Sequence, residues 1–299
     1  MKSRIIYRAR GKFLRLLAPL ITSDKLYLTL LYHHRLGKKL NLNNPRTFSE
    51  KLQWLKIHNR KPEMVDMVCK VEAKKYVAKI IGEEYIIPTL AVYNSVDEID
   101  FDKLPNQFVL KCTHDSGCIV ICSDKSKLDI DAAKAKLAKG LKVNYYYQNR
   151  EWPYKQVKPR IIAEQYMTDG TSSDLADYKF FCFDGEPRYC QVIRDRRSKE
   201  TIDFYDMQWN HMPFVGLNPV ASNGLTPVAK PTHLDKMIEI CQKLSKGNPF
   251  SRIDLYVIND KEYFGEITFY PMSGMGTFTP NEWNYHLGDL LKLPNPIGR

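Results

Sequence analysis

The residues best suited to chemistry lie in two segments near the C-terminus, RIDLY and GEITFYP. Arg252 and Asp254 stand two apart in the first, and Glu266 and Thr268 stand two apart in the second. Side chains two apart on a strand point to the same face, so a hairpin that joins these faces brings the four together. Two adjacent carboxylates repel each other unless a cation lies between them, and hard oxygen ligands beside phosphates suit Mg²⁺. The pattern is equally compatible with a solvated ion pair between Arg252 and Glu266.

A second candidate site lies earlier in the chain, around Lys111. This lysine ends the apolar run FVLK and precedes the small polar turn THDSGC. It can reach nucleotide phosphates there, while backbone N–H groups of a turn that contains His114, Ser116 and Gly117 bind others. A single glycine does not make a P-loop, so an ordinary solvated lysine is the simpler interpretation.

Two further segments have weaker signals. In RIIAEQYM, Glu164 precedes three residues that could form a strand edge whose backbone groups contact a purine. In the segment that begins Asp177-Tyr-Lys179, charged residues alternate along one strand face. The simpler interpretation of that alternation is a solvated face.

The elements that position these residues alternate between helices and hairpins. Helices are expected after Thr47 or Ser49 and over 62–82, 129–143 and 232–246. Hairpins are expected over 107–122, around the Asp184–Gly185 turn and around the Asn259–Asp260 turn. Helices mixed with antiparallel hairpins predict an α+β fold rather than a doubly wound parallel sheet.

Composition indicates an ordinary globular protein. The chain has 299 residues, is 43% hydrophobic and carries a formal charge of +11, which favours an anionic partner. Its seven cysteines form no paired C-x-x-C motif, so we expect reduced, mostly buried thiols and a cytoplasmic location. No apolar run reaches the roughly 18 residues of a membrane span.

The N-terminal segment predicts a basic amphipathic helix over residues 2–20. Apolar residues recur at helical spacing, and Arg4, Arg8 and Arg15 fall on the opposite side. Such a helix either docks on its own protein or makes peripheral contact with the inner face of the cytoplasmic membrane or with a lipid-linked glycan there.

Taken together and in order, seven stretches of the chain resemble the ATP-grasp superfamily. The resemblance is close to its TupA-like branch, which is associated with bacterial surface-polysaccharide genes. These stretches are NPRTFSEKLQWLK, FVLKCTHDSG, NREWPYK, RIIAEQYM, DYKFFCFDGEP, RIDLY and GEITFYPMSG. The resemblance implies an ATP-grasp fold in which two α+β lobes clasp ATP. The implied divisions are a basic helical segment (1–40), a helical support region (41–100), a nucleotide-covering lobe (101–165) and a C-terminal lobe with the metal site (166–299).

The resemblance also implies roles for individual residues. Those expected at ATP are Lys70, Lys111, His114, Ser116, Gly117, Glu164, Gln165, Tyr166, Met167 and Lys179. Those expected to clamp the transferring phosphoryl group and Mg²⁺ are Arg252, Asp254 and Glu266. The chain departs from the superfamily at Thr268, where a metal-binding Asn is usual, and a hydroxyl is a poorer Mg²⁺ ligand than an amide oxygen.

The implied activity is ATP-dependent, ADP-forming carboxylate–amine ligation through an acylphosphate. The family's setting suggests a uronic-acid-containing glycan as the carboxylate substrate and an amino acid as the amine. Arg194 and Arg196 are candidates for holding the acidic substrate through bidentate contacts, with an exposed basic loop as the alternative.

Two other classes of function remain as alternatives. A glycosyltransferase of surface-glycan synthesis needs a D-x-D motif after a strand, whereas Asp129-Ile-Asp131 begins a predicted helix. A nucleic-acid binder needs its basic residues in a stripe with stacking aromatics, whereas much of the positive excess lies in residues 1–40. We therefore expect no nucleic-acid partner.

Overall fold

Two antiparallel sheets with helices packed around them form the fold. The computed structural model describes residues 11, 13–170, 175–194, 200–217 and 221–295. Every strand pairing within the two sheets is antiparallel. The predicted α+β class is therefore confirmed.

Helices make up the region before the first sheet. Residues 13–17 are helical, and four further helices follow: α1 (Asp24–Leu36), α2 (Phe48–His58), α3 (Glu63–Val68) and α4 (Glu72–Ile81). Thr47 begins α2 through a capping box with Glu50, in which each side chain binds the other residue's backbone N–H. Of the helix predicted over 2–20, residues 2–10 and 12 lie outside the described part, and residues 18–20 form a turn.

The single helix predicted over 62–82 is wrong, because the chain leaves helical geometry at Cys69. There the backbone is extended, at φ −73° and ψ 118°. The N–H of Lys70 instead donates to the carbonyl of Thr113, at 3.1 Å. The interruption places Lys70 beside the turn at 113–117, which a continuous helix would not do.

The smaller sheet has four strands, in the order β1-β4-β2-β3. They are β1 (Thr89–Tyr93), β2 (Phe108–Cys112), β3 (Ile119–Cys122) and β4 (Ile161–Gln165). Helix α5 (Ile130–Leu141) covers one face, and the short helix α6 (Tyr146–Asn149) follows. The sheet begins at Thr89, before the lobe boundary expected at residue 101.

The larger sheet has five strands, in the order β10-β9-β5-β6-β7. They are β5 (Asp177–Phe183), β6 (Glu186–Arg194), β7 (Thr201–Asp206), β9 (Phe250–Ile258) and β10 (Lys261–Thr268). A two-stranded ribbon joins β8 (Val215–Leu217) to β11 (Thr277–Thr279). Helices α7 (Leu234–Ser245) and α8 (Glu282–Leu290) complete the fold.

Both predicted two-residue turns of the larger sheet are confirmed. Asp184 and Gly185 have φ of 52° and 84°, and Asn259 and Asp260 have φ of 52° and 55°. Positive φ at both central residues is the geometry of a type I′ turn, which matches the twist of the strands it joins.

An aromatic cluster holds α2 against the larger sheet. The ring of Phe48 lies 5.0–6.4 Å, between centroids, from the rings of Phe181, Phe183, Phe250 and Phe278. Phe48 is 1% exposed. This contact packs helix α2 onto strands β5 and β9, which carry Lys179 and the candidate metal residue Asp254.

A buried arginine fastens the segment before α1. Arg150 donates from Nη2 to the carbonyls of Ala18 and Ile21, at 2.6 and 2.7 Å. Its guanidinium lies 4.3 Å from the centre of the Tyr27 ring, and its Nε lies 3.0 Å from Asp24 Oδ1. A charge buried this deeply is stabilised only by such partners, so the position of residues 18–24 is fixed.

All seven cysteines are free thiols, and six of them are buried, as the sequence predicts. None of the described helices is both long and apolar enough to cross a bilayer.

We expect Phe48→Ala to lower the free energy of unfolding by about 3–5 kcal/mol, because it removes a ring from a closely packed aromatic cluster. Urea unfolding followed by circular dichroism measures the change. Leu225→Ala, at a fully exposed apolar residue, is the control and should change it by less than about 0.5 kcal/mol. A loss below about 1 kcal/mol for Phe48→Ala would contradict the packing role of this ring.

Candidate active site

A cavity of about 450 Å³ lies between the two sheets, with walls from both. Within the described part of the chain, ten charged residues line it, five cationic and five anionic. The cations are Lys70, Lys74, Lys111, Lys179 and Arg252; the anions are Glu164, Asp177, Glu200, Asp254 and Glu266. Such a concentration of mutually compensating charge in one cleft is typical of a binding site for a highly charged ligand.

The large-sheet wall of the cavity is built around Asp254 on β9. Arg252 donates to both oxygens of Asp254, from Nε at 2.6 Å and from Nη2 at 2.7 Å. Lys179 on the neighbouring strand β5 also donates to Oδ2 of Asp254. The register sets this contact directly, because Lys179 and Asp254 lie opposite each other.

Glu266 on β10 joins this cluster from the other side of β9. Its Oε1 accepts from Arg252 Nη2 at 2.8 Å and from the Thr268 hydroxyl at 3.1 Å. The predicted convergence of Arg252, Asp254, Glu266 and Thr268 is present. The Arg252–Glu266 ion pair exists too, but it lies inside the cavity with Asp254 almost wholly buried, not on a solvated face.

A β-bulge at Gly265 makes this convergence happen. From the turn to Phe264 the register pairs Phe264 with Leu255, and a regular continuation would put Glu266 opposite Ile253, on the apolar face. The register shifts between Phe264 and Glu266, so Glu266 lies opposite Asp254 instead. A Cβ at Gly265 would lie 3.1 Å from the Asp254 carbonyl oxygen, so a glycine suits this close approach.

Burial and neighbouring charges shift the pKa values of Asp254 and Glu266 in opposite directions. Burial tends to raise the pKa of Glu266, but Arg252, Lys179 and Lys70 outweigh it and lower the value to about 2. Burial raises the pKa of Asp254, because Arg252 and Lys179 offset only part of the cost. Glu266 is thus the more firmly ionised of the pair, and its side chain is the more exposed, at 46% against 2%.

The start of β5 is buried, contrary to the simpler interpretation of its sequence. Asp177 is 3% exposed and Lys179 is 6% exposed, and their side chains lie 3.5 Å apart. The alternation of charge along Asp177-Tyr-Lys179 therefore marks the cavity wall, not a solvated strand face.

The small-sheet wall carries three lysines. Lys111 on β2 pairs with Glu164 on β4 at 2.6 Å, and Lys74 on α4 pairs with the other oxygen of the same carboxylate. Burial opposes ionisation of Glu164, but the two lysines hold its pKa below the usual range. Glu164 therefore acts in this structure as the counter-ion that positions two lysines at the cavity.

Lys70 reaches the cavity from the break between α3 and α4. Its ammonium donates to the backbone carbonyl of Asp115 in the hairpin turn. Burial lowers the pKa of Lys70, with Asp115 and Glu266 opposing that effect. Ser116 and Gly117 in the same turn also line the cavity, and Gly117 has a φ of 139°.

Several predicted residues do not line the cavity. His114 is buried, and its Nε2 lies 3.0 Å from the carbonyl of Val143. Arg194 pairs with Asp203 at 3.0 Å. The described residues that line the cavity do not include His114, Gln165, Tyr166, Met167, Arg194 or Thr268. Arg196 lies outside the described residues.

Sequence reasoning missed Lys74, Tyr154 and Glu151. Nothing in VEAKKY separates Lys74 from the exposed Lys75, since only the packing of α4 turns one toward the cavity. Tyr154 lines the cavity. Glu151 lies behind it, accepting from the Ser273 hydroxyl at 2.6 Å, and burial raises its pKa although Lys56 opposes the rise. Both belong to the stretch NREWPYK, whose spacing gives no chemical signal.

A comparison with known protein families identifies the family of this chain. The TupA-like ATPgrasp family matches residues 50–292. The chain belongs to this family. With two antiparallel sheets around one charged cavity, it has the ATP-grasp fold. ATP-grasp enzymes use ATP and Mg²⁺.

Solved structures similar to this TupA-like chain include three ligases. D-alanine–D-alanine ligase from Bacillus anthracis complexed with ATP is 16% identical over 75% of this chain and 64% of its own, with a TM-score of 0.44. D-alanine–D-alanine ligase from Helicobacter pylori is 14% identical over 82% and 69%, with a TM-score of 0.42. Phosphoribosylamine–glycine ligase from Thermotoga maritima is 15% identical over 69% and 48%, with a TM-score of 0.41.

The chain spans less than two thirds of the length of the Bacillus anthracis and Thermotoga maritima ligases. No curated protein matches it.

The lowered pKa of Glu266 predicts a specific acid sensitivity. A carboxyl group whose pKa is lower in the folded than in the unfolded chain stabilises the fold above the unfolded value, here 4.5, and loses that effect as the pH falls toward about 2. We therefore expect the unfolding free energy of Glu266→Gln to fall less steeply than that of the wild type between pH 4.5 and 2.5. Urea titrations at several pH values measure the slope.

Glu84→Gln, at an exposed residue outside the cavity, is the control for this slope and should keep the wild-type dependence. Equal slopes for Glu266→Gln and the wild type would mean that Glu266 has no such electrostatic coupling to Arg252.

Proposed function

We propose that this chain is an ATP-dependent, ADP-forming carboxylate–amine ligase that makes an amide through an acylphosphate. The observation that carries the proposal is the convergence of Arg252, Asp254, Glu266 and Lys179 from one sheet on the same cavity as Lys70, Lys74 and Lys111. Family membership supports the same chemistry.

The charges of the cavity suit a nucleotide with its metal ions. Among the described residues that line the cavity, five cationic and five anionic side chains cancel. The charges of a fully ionised nucleoside triphosphate and two Mg²⁺ ions also cancel, so this ligand set enters without leaving a net buried charge. The donors fit as well: Asp254 and Glu266 offer the hard carboxylate oxygens that Mg²⁺ prefers. Mg²⁺ bound there would supply neutralisation of charge on the phosphates.

Each wall of the cavity has its own proposed task. Lys70, Lys111 and the turn with Ser116 and Gly117 bind phosphate oxygens, as cations and N–H groups beside a cavity can do. Asp254 and Glu266 hold Mg²⁺, and Arg252 stabilises negative charge on the transferred phosphoryl group and the acylphosphate. Lys179, which donates to Asp254, would be free to contact the phosphates if that carboxylate held Mg²⁺.

We also propose roles for predicted residues that do not line the cavity. Gln165, Tyr166 and Met167 directly follow the cavity residue Glu164, where the chain passes from one sheet to the other, and we assign them to the adenine. Thr268 orients Glu266 through its hydroxyl rather than serving as a strong metal ligand. Arg194 and Arg196 stay as candidates for the acidic substrate.

The substrates are proposed from the family's setting. The cavity continues from β10 and β9 across β5 to Gln191 on β6 and Ile202 on β7, which leaves room beyond the phosphate-binding walls. A uronic-acid-containing surface glycan or its precursor as the carboxylate, with an amino acid as the amine, agrees with the charge of +11.

The decisive experiment separates activation of the carboxylate from formation of the amide. ATP labelled with ¹⁸O at the β,γ-bridging position is incubated with Mg²⁺, the protein and a panel of uronic acids, without amine. Reversible acylphosphate formation scrambles the label, and hydroxylamine then traps the acyl group as a hydroxamate. Adding amino acids should release ADP.

Label scrambling and ADP release that are both absent across the panel would contradict the ligase. Hydrolysis of a nucleotide sugar without ATP turnover would favour the alternative, a glycosyltransferase of capsule, O-antigen or exopolysaccharide synthesis. Such an enzyme would use the Asp129-Ile-Asp131 triplet to bind a metal and a nucleotide sugar. Here Asp129 instead caps the N-terminus of α5.

We expect Asp254→Asn and Arg252→Lys each to lower kcat by on the order of 100-fold or more. The first removes a carboxylate charge proposed to hold Mg²⁺, and the second keeps the positive charge but loses the planar set of donors of the guanidinium. Steady-state ADP release measures the loss. Asp97→Asn, at an exposed residue of the small-sheet region, is the matched control and should keep wild-type kcat. Wild-type activity in Asp254→Asn would remove this carboxylate from the metal site.

We further propose that the N-terminal region makes peripheral contact with an anionic membrane surface or with the lipid-linked glycan in it. Residues 1–40 contain ten Lys and Arg against one Asp. Phe13, Leu16 and Leu20 are each more than 60% exposed, and Leu26 and Leu30 on α1 are also exposed. Exposed apolar side chains within a strongly basic segment are typical of an interfacial helix.

We expect the double variant Leu16→Ser/Leu20→Ser to bind vesicles about tenfold or more weakly than the wild type, because two apolar anchors are lost. Co-sedimentation with phosphatidylcholine vesicles containing phosphatidylglycerol measures this. The control is Leu225→Ser, at a fully exposed leucine elsewhere. Equal binding of the wild type to vesicles without anionic lipid, or none to either, would contradict the contact.

A further inference from the structure

Three side chains suited to a soft metal ion meet at the base of the hairpin turn. The sulfur atoms of Cys112 and Cys118 and a carboxylate oxygen of Asp115 all lie within 4.8 Å of one another. The two cysteines face each other across the hairpin, and the N–H of Cys112 donates to the carbonyl of Cys118 at 3.0 Å. The cluster sits beside the nucleotide-binding residues but serves none of their proposed tasks.

Gly140 of helix α5 leaves space for both sulfur atoms, because it has no side chain. A Cβ at Gly140 would lie 2.5 Å from the sulfur of Cys118 and 2.8 Å from that of Cys112. The thiols donate weakly to carbonyls of the same helix, Lys136 at 3.6 Å and Leu137 at 3.8 Å. Both sulfur atoms therefore occupy one small space against α5, not two unrelated core positions.

The carboxylate of Asp115 supplies an independent observation. Asp115 is 9% exposed, and its buried Oδ1 has no hydrogen-bond partner. The nearest cation, the ammonium of Lys70, lies 3.9 Å from that oxygen. A buried carboxylate oxygen without a donor is costly, so this atom is available to a ligand.

We propose that Cys112, Cys118 and Asp115 form a binding site for one thiophilic divalent cation, for which Zn²⁺ is the natural probe. Two thiolates and a carboxylate provide three ligands, and a tetrahedral ion keeps a fourth position. Cys118 also lines the cavity. Sulfur atoms on one tetrahedral Zn²⁺ lie about 3.8 Å apart, a separation compatible with the 4.8 Å limit within which these ligand atoms lie. Each thiol gives up its proton to solvent as it coordinates.

Burial raises the pKa of the Cys112 thiol, so the ion has to displace a proton that burial holds on this sulfur. A cation bound here joins the two ends of the turn at 113–117 to its centre. It also draws the carboxylate of Asp115 away from Lys70, so the site touches the region that we assign to the phosphates.

The test uses the full chain, kept reduced and free of nucleotide. Zn²⁺ affinity and stoichiometry are measured by competition with a chromophoric chelator, and Co²⁺ reports thiolate ligation through its charge-transfer absorption. We expect one ion per chain, a loss of affinity of at least about tenfold in Cys118→Ser, and loss of the charge-transfer band. Cys122→Ser, in the same hairpin, is the matched control and should behave as the wild type.

Asp115→Asn keeps the proposal testable if Cys118→Ser unfolds, since it removes the carboxylate without touching the thiols; it should retain the thiolate band but bind Zn²⁺ more weakly. Two results would each overturn the site: no stoichiometric binding, or equal affinity of the wild type and Cys118→Ser.

Discussion

The arrangement of the strands in the larger sheet depends on the buried carboxylate of Asp254. A carboxylate taken out of water is tolerated only beside cations that also donate hydrogen bonds, and here Arg252 and Lys179 do both. Removing one partner of a buried pair costs roughly 3–5 kcal/mol, because the other charge is left unpaired. Strand β9, which carries Asp254, lies between β5 and β10. The pairing of all three strands is therefore tied to this one charge.

The same constraint explains the irregularity in β10. A two-residue turn at Asn259–Asp260 sets a register in which Glu266 would project among apolar side chains, where its charge has no partner. One extra residue, Gly265, moves Glu266 to the charged face. The bulge thus resolves a conflict between the preferred hairpin turn and the placement of a carboxylate, and glycine leaves space for the Asp254 carbonyl.

The sequence alone predicts the elements of the fold well and the site in part. The α+β class, both two-residue turns and a helix start at Thr47 or Ser49 follow from local patterns, and the structure selects Thr47 as the cap. The convergence of Asp254 and Glu266 was expected from period-two spacing, but spacing alone does not reveal the bulge that makes it work. The interruption at Cys69 depends on a hydrogen bond to Thr113, far away in the chain. Lys74 and Glu151 acquire their positions only through tertiary packing, so no local pattern marks them.

The division of charge between the two sheets has a consequence for how the cavity works. Ion pairs hold cations within each wall: Glu164 holds Lys74 and Lys111 on one side, and Asp254 holds Arg252 and Lys179 on the other. Among the described lining residues, however, the small-sheet wall keeps an excess of cations and the large-sheet wall an excess of carboxylates. Under the proposed function, a polyphosphate with its metal ions would offer oxygens to the first wall and cations to the second. Binding of that ligand would then add pairs across the cavity to the pairs within each wall, which would join the two sheets electrostatically.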